Sequence, residues 1–201
     1  MSRASTRAEQ LRRAIAQEAA RIMSEHGIDD YLLAKRKAAE RLGATEGATL
    51  PKNTEIEAAL VEYQRLFAAD THSQSLRDQR RAALMAMQLL LEFEPRLVGP
   101  VLAGTATAHA DVDLHLFADC TEAVTLKLMD QGIPHELLER RVKMFVDRSV
   151  NFPAVRFEAG AHTIDATVFP RDGIRQAPFS PVDGRPMRRA NHAELRALIE
   201  E

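Results

Sequence analysis

Apolar residues recur at helical spacing through the first half of the chain and at alternate positions through much of the second. Thr6 and Glu9 match a capping box, and Leu11, Ile15, Ala19 and Ile22 then lie on one stripe, so a helix is predicted from Thr6 to near Gly27. A second is expected from Asp30 to Leu42, with Gly43 placed to end it, and residues 43–53 read as a loop around Gly47 and Pro51. Thr54 and Glu57 repeat the capping box ahead of Ile56, Leu60, Tyr63 and Phe67. A fourth helix is predicted with Ser75 as N-cap, running to about Glu94 and carrying Leu84, Met87, Leu90 and Leu91. Such stripes most simply serve packing, because a buried face supplies most of a helix's stability.

After Pro95 the period shortens. Leu97 to Leu102 is a short apolar run, and Val112, Leu114 and Leu116 alternate with Asp113, His115 and Phe117. Thr121 to Asp130 reads as a helix stopped by Gly132 and Pro134, and His135 to Val146 as mostly strand. Val155 to Glu158 and Thr163 to Phe169 flank Ala159, Gly160 and Ala161, a hairpin signal. The tail from Pro170 to Arg189 is rich in Pro, Gly and Arg, and a last helix is expected from Asn191. The fold class is therefore α+β: a helical region over residues 1–72, then a mixed β-sheet with flanking helices over residues 73–201.

Composition narrows the function classes. The 201 residues are 45% hydrophobic and 28% charged, which argues against disorder and repeat arrays. Lys and Arg total 27 against 29 Asp and Glu, a net charge of -2 that makes a long nucleic acid an unexpected partner and requires any phosphate site to be local. Residues 1–23 lack the apolar core of a signal peptide and no stretch suits a membrane span, so a cytoplasmic protein is expected. Cys120, the one cysteine, excludes an internal disulfide and a cysteine-based zinc site, and reads as packing. No G-x-x-x-x-G-K-[ST] loop is present, against an ATP-dependent ligase reading. Oligomeric state is left open.

The candidate chemistry lies between Val98 and Leu114. A strand feeds a turn at Gly99 and Pro100; Gly104 and Thr105 follow, and a second strand opens with Asp111 and Asp113. Side chains two apart on a strand share a face, so both carboxylates point one way while Val112, Leu114 and Leu116 point to the core. Their mutual repulsion would be relieved by a hard divalent cation, which favours oxygen ligands and substrate phosphates. A third acid, Asp165, sits in the apolar strand Thr163 to Phe169, where an unpaired charge is costly, so it needs a partner. That partner is a metal ion or an arginine such as Arg156 on the adjacent strand.

This segment, Ser75 to Phe169, resembles the DNA polymerase beta-like nucleotidyltransferase superfamily, in its minimal nucleotidyltransferase form. The family pattern is a Gly-Ser turn, an Ala-x-Gly, an Asp-x-Asp about ten residues after the serine, and a third acid on a later strand. Here the turn is Gly99-Pro100, the second glycine Gly104, the paired acids Asp111 and Asp113, and the later acid Asp165. The resemblance implies two Mg²⁺ (or Mn²⁺) ions on the three acids, a nucleoside triphosphate as substrate, and transfer of its monophosphate to a hydroxyl of a small molecule, a protein or an RNA end. It also implies a nucleotide-binding role for Gly99, Pro100, Gly104 and Thr105. Pro100 departs from the pattern, supplying neither the hydroxyl nor the N–H of the usual serine. Thr105 and Thr107 could lend hydroxyls, and Arg140, Arg141, Lys143, Arg148 or Arg156 could lend charge.

Two other readings stand beside this one. A catalytically inactive nucleotide-binding or protein-interaction module would keep the acids without the reaction. Nucleic-acid binding through the N-terminal helix pair would need a basic recognition face, which the mixed charges between Asp30 and Leu42 do not supply. His115 shares a strand face with Asp113, as a ligand, a contact to a base or, more simply, an exposed or hydrogen-bonded residue, and His109, in the loop before the acids, reads as solvated or as a phosphate contact. Arg171, Arg175, Arg185, Arg188 and Arg189 form a basic tail, either solvated and packed against the sheet or set over a phosphate.

Overall fold

The computed structural model describes residues 3–44, 49–67, 69–145 and 147–200. Among them the chain forms seven α-helices and a five-stranded mixed sheet, in agreement with an α+β class. The chain divides into two compact units. The first comprises residues 1–74 with 107–110 and 181–183; the second holds the remainder.

In the first unit, α1 (Arg3–His26) packs against both α2 (Tyr31–Arg41) and α3 (Asn53–Phe67). Ile15, Ala19 and Ile22 of the expected stripe are fully buried, joined by Ala16, Ala20, Ala34, Ala38, Ile56 and Leu60. Alanine at these positions lets helix axes approach closely. Asp30 caps α2, its carboxylate accepting from the N–H groups of Leu32 and Leu33 at 2.7 and 3.0 Å. The α3 cap differs from the expected one: the helix starts at Asn53, and Glu55 reaches back to the Lys52 N–H at 2.7 Å. Its buried row ends on Gln64, four residues after Leu60, and Phe67 is 73% exposed. Residues 45–48 of the expected loop lie outside the described residues.

Helix α4 runs Ala69–Leu89, so Ser75 is a mid-helix residue rather than an N-cap; no Gly or Pro interrupts the helix upstream of it. A 3-10 turn at Leu91–Phe93 follows. The apolar run after Pro95 also differs from expectation: β1 is only Arg96–Leu97, and Gly99–Ala103 forms the short helix α5. Pro100 suits a first helical turn, where an N–H has no acceptor in any case.

The sheet order is β1-β2-β5-β4-β3, with β2 (Val112–Phe117), β3 (His135–Phe145), β4 (Arg148–Ala159) and β5 (His162–Phe169). Among the described residues only β2 and β5 pair in parallel; between them the chain passes through α6 (Thr121–Asp130) and the β3–β4 hairpin. Val112, Leu114 and Leu116, Ile164, Ala166 and Val168, and Val155 and Phe157 are all buried and alternate along their strands with the site residues. Helix α5 packs on β2 and α6 on β4. Strand β4 is longer than the sequence suggests because it continues through Pro153; β5 pairs with β4 only from Ala154 onward, so a missing N–H is tolerated there. The last helix, α7 (His192–Glu200), carries a reciprocal capping box between Asn191 and Glu194 and is anchored by buried Leu195. Cys120, expected in packing, is exposed at the start of α6.

Replacing Asp30 by Ala should lower unfolding stability by about 1 kcal/mol, and Asp30→Ser should restore most of it. Urea unfolding followed by circular dichroism checks both.

Candidate functional site

The parallel register places Asp113 of β2 directly opposite Asp165 of β5. The antiparallel register on the other side of β5 sets Arg156 of β4 opposite Asp165. One sheet position therefore gathers a carboxylate, a carboxylate and a guanidinium on three adjacent strands, with Asp111 just before β2.

Asp165 is 4% exposed, and a buried carboxylate must be paired to be tolerated. Two arginines meet that need. Arg140 of β3 clamps it with two donors, Nε to Oδ1 at 3.1 Å and Nη2 to Oδ2. Arg156 Nη2 donates to Oδ2 of Asp165 at 3.3 Å and to Oδ2 of Asp111 at 2.6 Å, so one nitrogen bridges two carboxylates. The Arg140 guanidinium is held above its ordinary pKa, first by its hydrogen bond to Asp165 and further by the charges of Asp165, Asp113 and Asp111. All three acids thus act on a single cation. Arg156 Nε, by contrast, is buried with no acceptor among the described residues.

Gly99 adopts φ +69°, and a Cβ built there would come 2.5 Å from Oδ2 of Asp113. The turn residue and the strand acid are therefore packed together, and the position needs glycine for both conformation and space. Gly104 and Thr105 lie at the opposite end of α5, where their N–H groups donate to the Pro100 carbonyl at 2.8 and 3.0 Å. The five residues of α5 span about 7 Å. A Cβ on Gly104 would meet Arg80 and Leu76, not a carboxylate, and Thr105 is buried. Thus Gly99 joins the three acids, whereas Gly104 and Thr105 lie away from them, and Pro100 contributes a carbonyl to the helix.

On the same sheet face, one residue pair beyond the acids, His115 is 5% exposed and receives a 3.0 Å hydrogen bond at Nδ1 from Arg189 Nε. Burial, aided by the Arg189 charge, pushes the His115 pKa down to about 3, so its ring is neutral. Arg189 also donates to the carbonyls of Gly173 and Ile174 and lies over Phe117 and Phe169. Burial, then the charge of Arg96, lowers its pKa to about 10. The His115–Arg189 contact has no signal in the sequence, since the two lie 74 positions apart. Arg171 of the same tail pairs with Asp119 at the surface.

Among the described residues, no group of three His, Cys, Asp or Glu side chains is arranged to hold a metal ion, and no helix is long and apolar enough to cross a membrane. No protein-family model matches the chain, and no curated protein matches it. Among solved structures, a cytoplasmic RNA terminal U-transferase is similar at 20% identity and a TM-score of 0.36, over 56% of this chain and 36% of that one. This chain therefore aligns with little more than a third of its neighbour, and at that TM-score the likeness assigns neither fold family nor chemistry.

Gly99→Ala should cost about 1–2 kcal/mol for the left-handed backbone alone, measurable by urea unfolding. The pH dependence follows from His115. Its folded pKa of about 3 lies below the unfolded 6.5, so the unfolded chain binds the extra proton between those values. The stability this residue contributes is complete above pH 6.5 and is lost as pH falls toward 3. His115→Gln should flatten the melting temperature profile from about pH 6.5 down to about 4.5 relative to wild type, as differential scanning calorimetry can record.

Proposed function

We propose that the second unit is a nucleotidyl-transfer domain, using a nucleoside triphosphate to pass its monophosphate to a hydroxyl acceptor. The observation carrying this reading is the gathering of the three acids at one end of the sheet face: Asp113 stands opposite Asp165 in the strand register, Arg156 bridges Asp111 and Asp165, and a glycine turn with no room for a side chain lies against Asp113. Like charges are gathered at a cost, and a cluster of this kind suits a cation-bound polyphosphate better than it suits packing. Mg²⁺ or Mn²⁺ is the metal implied by the sequence resemblance. The residues fit it in kind, as three hard oxygen donors, but not in arrangement, because Arg156 Nη2 lies where a cation between Asp111 and Asp165 would sit.

In the reaction the acceptor oxygen attacks the α-phosphorus, the bond to the bridging oxygen breaks, and pyrophosphate leaves. Asp165 would take the acceptor's proton, yet both its oxygens accept from arginine donors, so this role requires a guanidinium to be released first. Asp113, packed against Gly99, would help to orient the substrate. Gly104 and Thr105 would shape the turn behind it rather than touch phosphate. The acceptor is a small molecule, a protein side chain or an RNA end. A soluble, cytoplasmic setting belongs to the same proposal.

A second reading, an inactive nucleotide-binding or protein-interaction module of the same fold, is favoured by two observations: arginines already pair with Asp165 and Asp111, and Pro100 stands where a phosphate-binding serine is usual. A screen of the four ribonucleoside triphosphates with Mg²⁺ and Mn²⁺ separates the two. Transfer predicts a rise in melting temperature with at least one of them and release of pyrophosphate, with Asp113→Asn lowering the release on the order of 10²-fold. Stabilisation without pyrophosphate, unchanged by that substitution, would leave the inactive module.

A further inference from the structure

Where β3 turns into β4, the hairpin and the C-terminal tail line a cavity of about 440 Å³. Its apolar walls are Met144, Phe145 and Phe179, and its polar ones Asp147, Arg148 and Gln176. The tail is fixed there by the Phe179 N–H, which donates to the Lys143 carbonyl at 2.8 Å along the last strand of the sheet. The β3–β4 ladder slips between Lys143 and Phe145, and an irregularity of that kind re-aims a side chain. Met144 is buried with Phe117 and Phe169, but Phe145 is 44% exposed, with the Arg148 guanidinium 4.7 Å from its ring centroid. An open aromatic ring beside a cation, over an apolar floor, suits a flat ligand ring.

The surrounding charges decide which flat ring. Surface arginines elsewhere, such as Arg21, Arg81 and Arg196, pair with carboxylates. Arg141, Lys143 and Arg148 make no ion pair among the described residues. With Arg140 they form a row of cations along β3 and into β4. Such a row beside an aromatic ring matches a single nucleic-acid strand, whose phosphates follow the charges while a base stacks on the ring. Arg148 can lie flat against a base, and the Asp147 carboxylate and Gln176 amide offer an acceptor and a donor to its edge. From Arg140 to Phe145 the strand advances about 17 Å. A base stands much closer than that to its own phosphate, so the cavity serves a different nucleotide from one bound at the acids.

Resting on the nucleotidyl-transfer reading above and selecting among its acceptors, we propose that this cavity is a base-stacking subsite for a single-stranded RNA whose hydroxyl end reaches the acid and arginine cluster along β3. The near-neutral charge of the whole chain confines the contact to a few nucleotides. Phe145 and Arg148 touch neither the reacting phosphorus nor the attacking oxygen; they set where the strand lies. A duplex is excluded, because its bases are already stacked on one another.

Fluorescence anisotropy of a labelled, unstructured RNA octamer titrated with the full chain tests this without turnover. Binding should weaken roughly ten-fold in Phe145→Leu, which keeps apolar bulk but removes the ring, and return in Phe145→Trp. Arg148→Gln, which leaves the apolar walls intact, should weaken binding by a separate route. In a salt series, about three phosphate contacts predict a slope of roughly −2 for the logarithm of the affinity against that of the salt concentration. Absence of binding by wild type, binding by Phe145→Leu and Arg148→Gln equal to wild type, or equal binding of the same sequence as a duplex overturns the proposal. Displacement of the octamer by an equal concentration of a mononucleotide also overturns it, making the cavity a site for a free nucleotide. The transfer reading fails separately: RNA bound through Phe145 in a protein from which no nucleoside triphosphate releases pyrophosphate keeps the subsite and removes the reaction, and pyrophosphate release without RNA binding does the reverse.

Discussion

The desolvated carboxylate of Asp165 governs the second unit. A charge this deeply buried is tolerated only with partners that replace its water, and the two arginines that do so come from different strands. Their requirement ties β3 and β4 to β5 electrostatically, in addition to the ladder between them. Asp113 then faces Asp165 across a parallel pair, and the positive charge that steadies one serves the other. Remove either arginine and the site keeps its acids but loses the reason they can coexist.

The strand face carrying these groups changes character along its length. At one end lie Asp111, Asp113 and Asp165; next come His115 and Thr167; beyond them Phe117, Phe152 and Phe169 pack with Met144. The middle layer insulates the charged end from the apolar one. His115 fills it as a neutral acceptor, and Arg189, lying across Phe117 and Phe169, brings the C-terminal tail onto the face. The arginine-rich tail is therefore partly a structural cover.

Much of the architecture was legible in the sequence, and the exceptions have physical causes. Thr121–Asp130, β2 and the hairpin at Gly160 follow from period and punctuation. The start of α4 does not, because Ser75 looks like a cap only if the helix is assumed to begin where its apolar stripe begins. Strand β4 is masked by Pro153, whose tolerance depends on where β5 stops pairing, a tertiary fact. In the site, Asp111, Asp113 and Asp165 are visible from strand alternation, and Arg156 from the hairpin. Arg140 is only one of several basic candidates, since its meeting with Asp165 depends on the reach of a side chain across β4, which no local pattern encodes.

The parallel pairing of β2 with β5 has a kinetic corollary. Asp113 and Asp165 belong to strands with no turn to join them, and such long loops close late relative to hairpins and helices. The β3–β4–β5 meander, all local and antiparallel, brings Arg140 and Arg156 to Asp165 before β2 need dock. Assembled in that order, the incoming strand would meet a carboxylate already neutralised, and the folding domain would be spared the repulsion between bare acids.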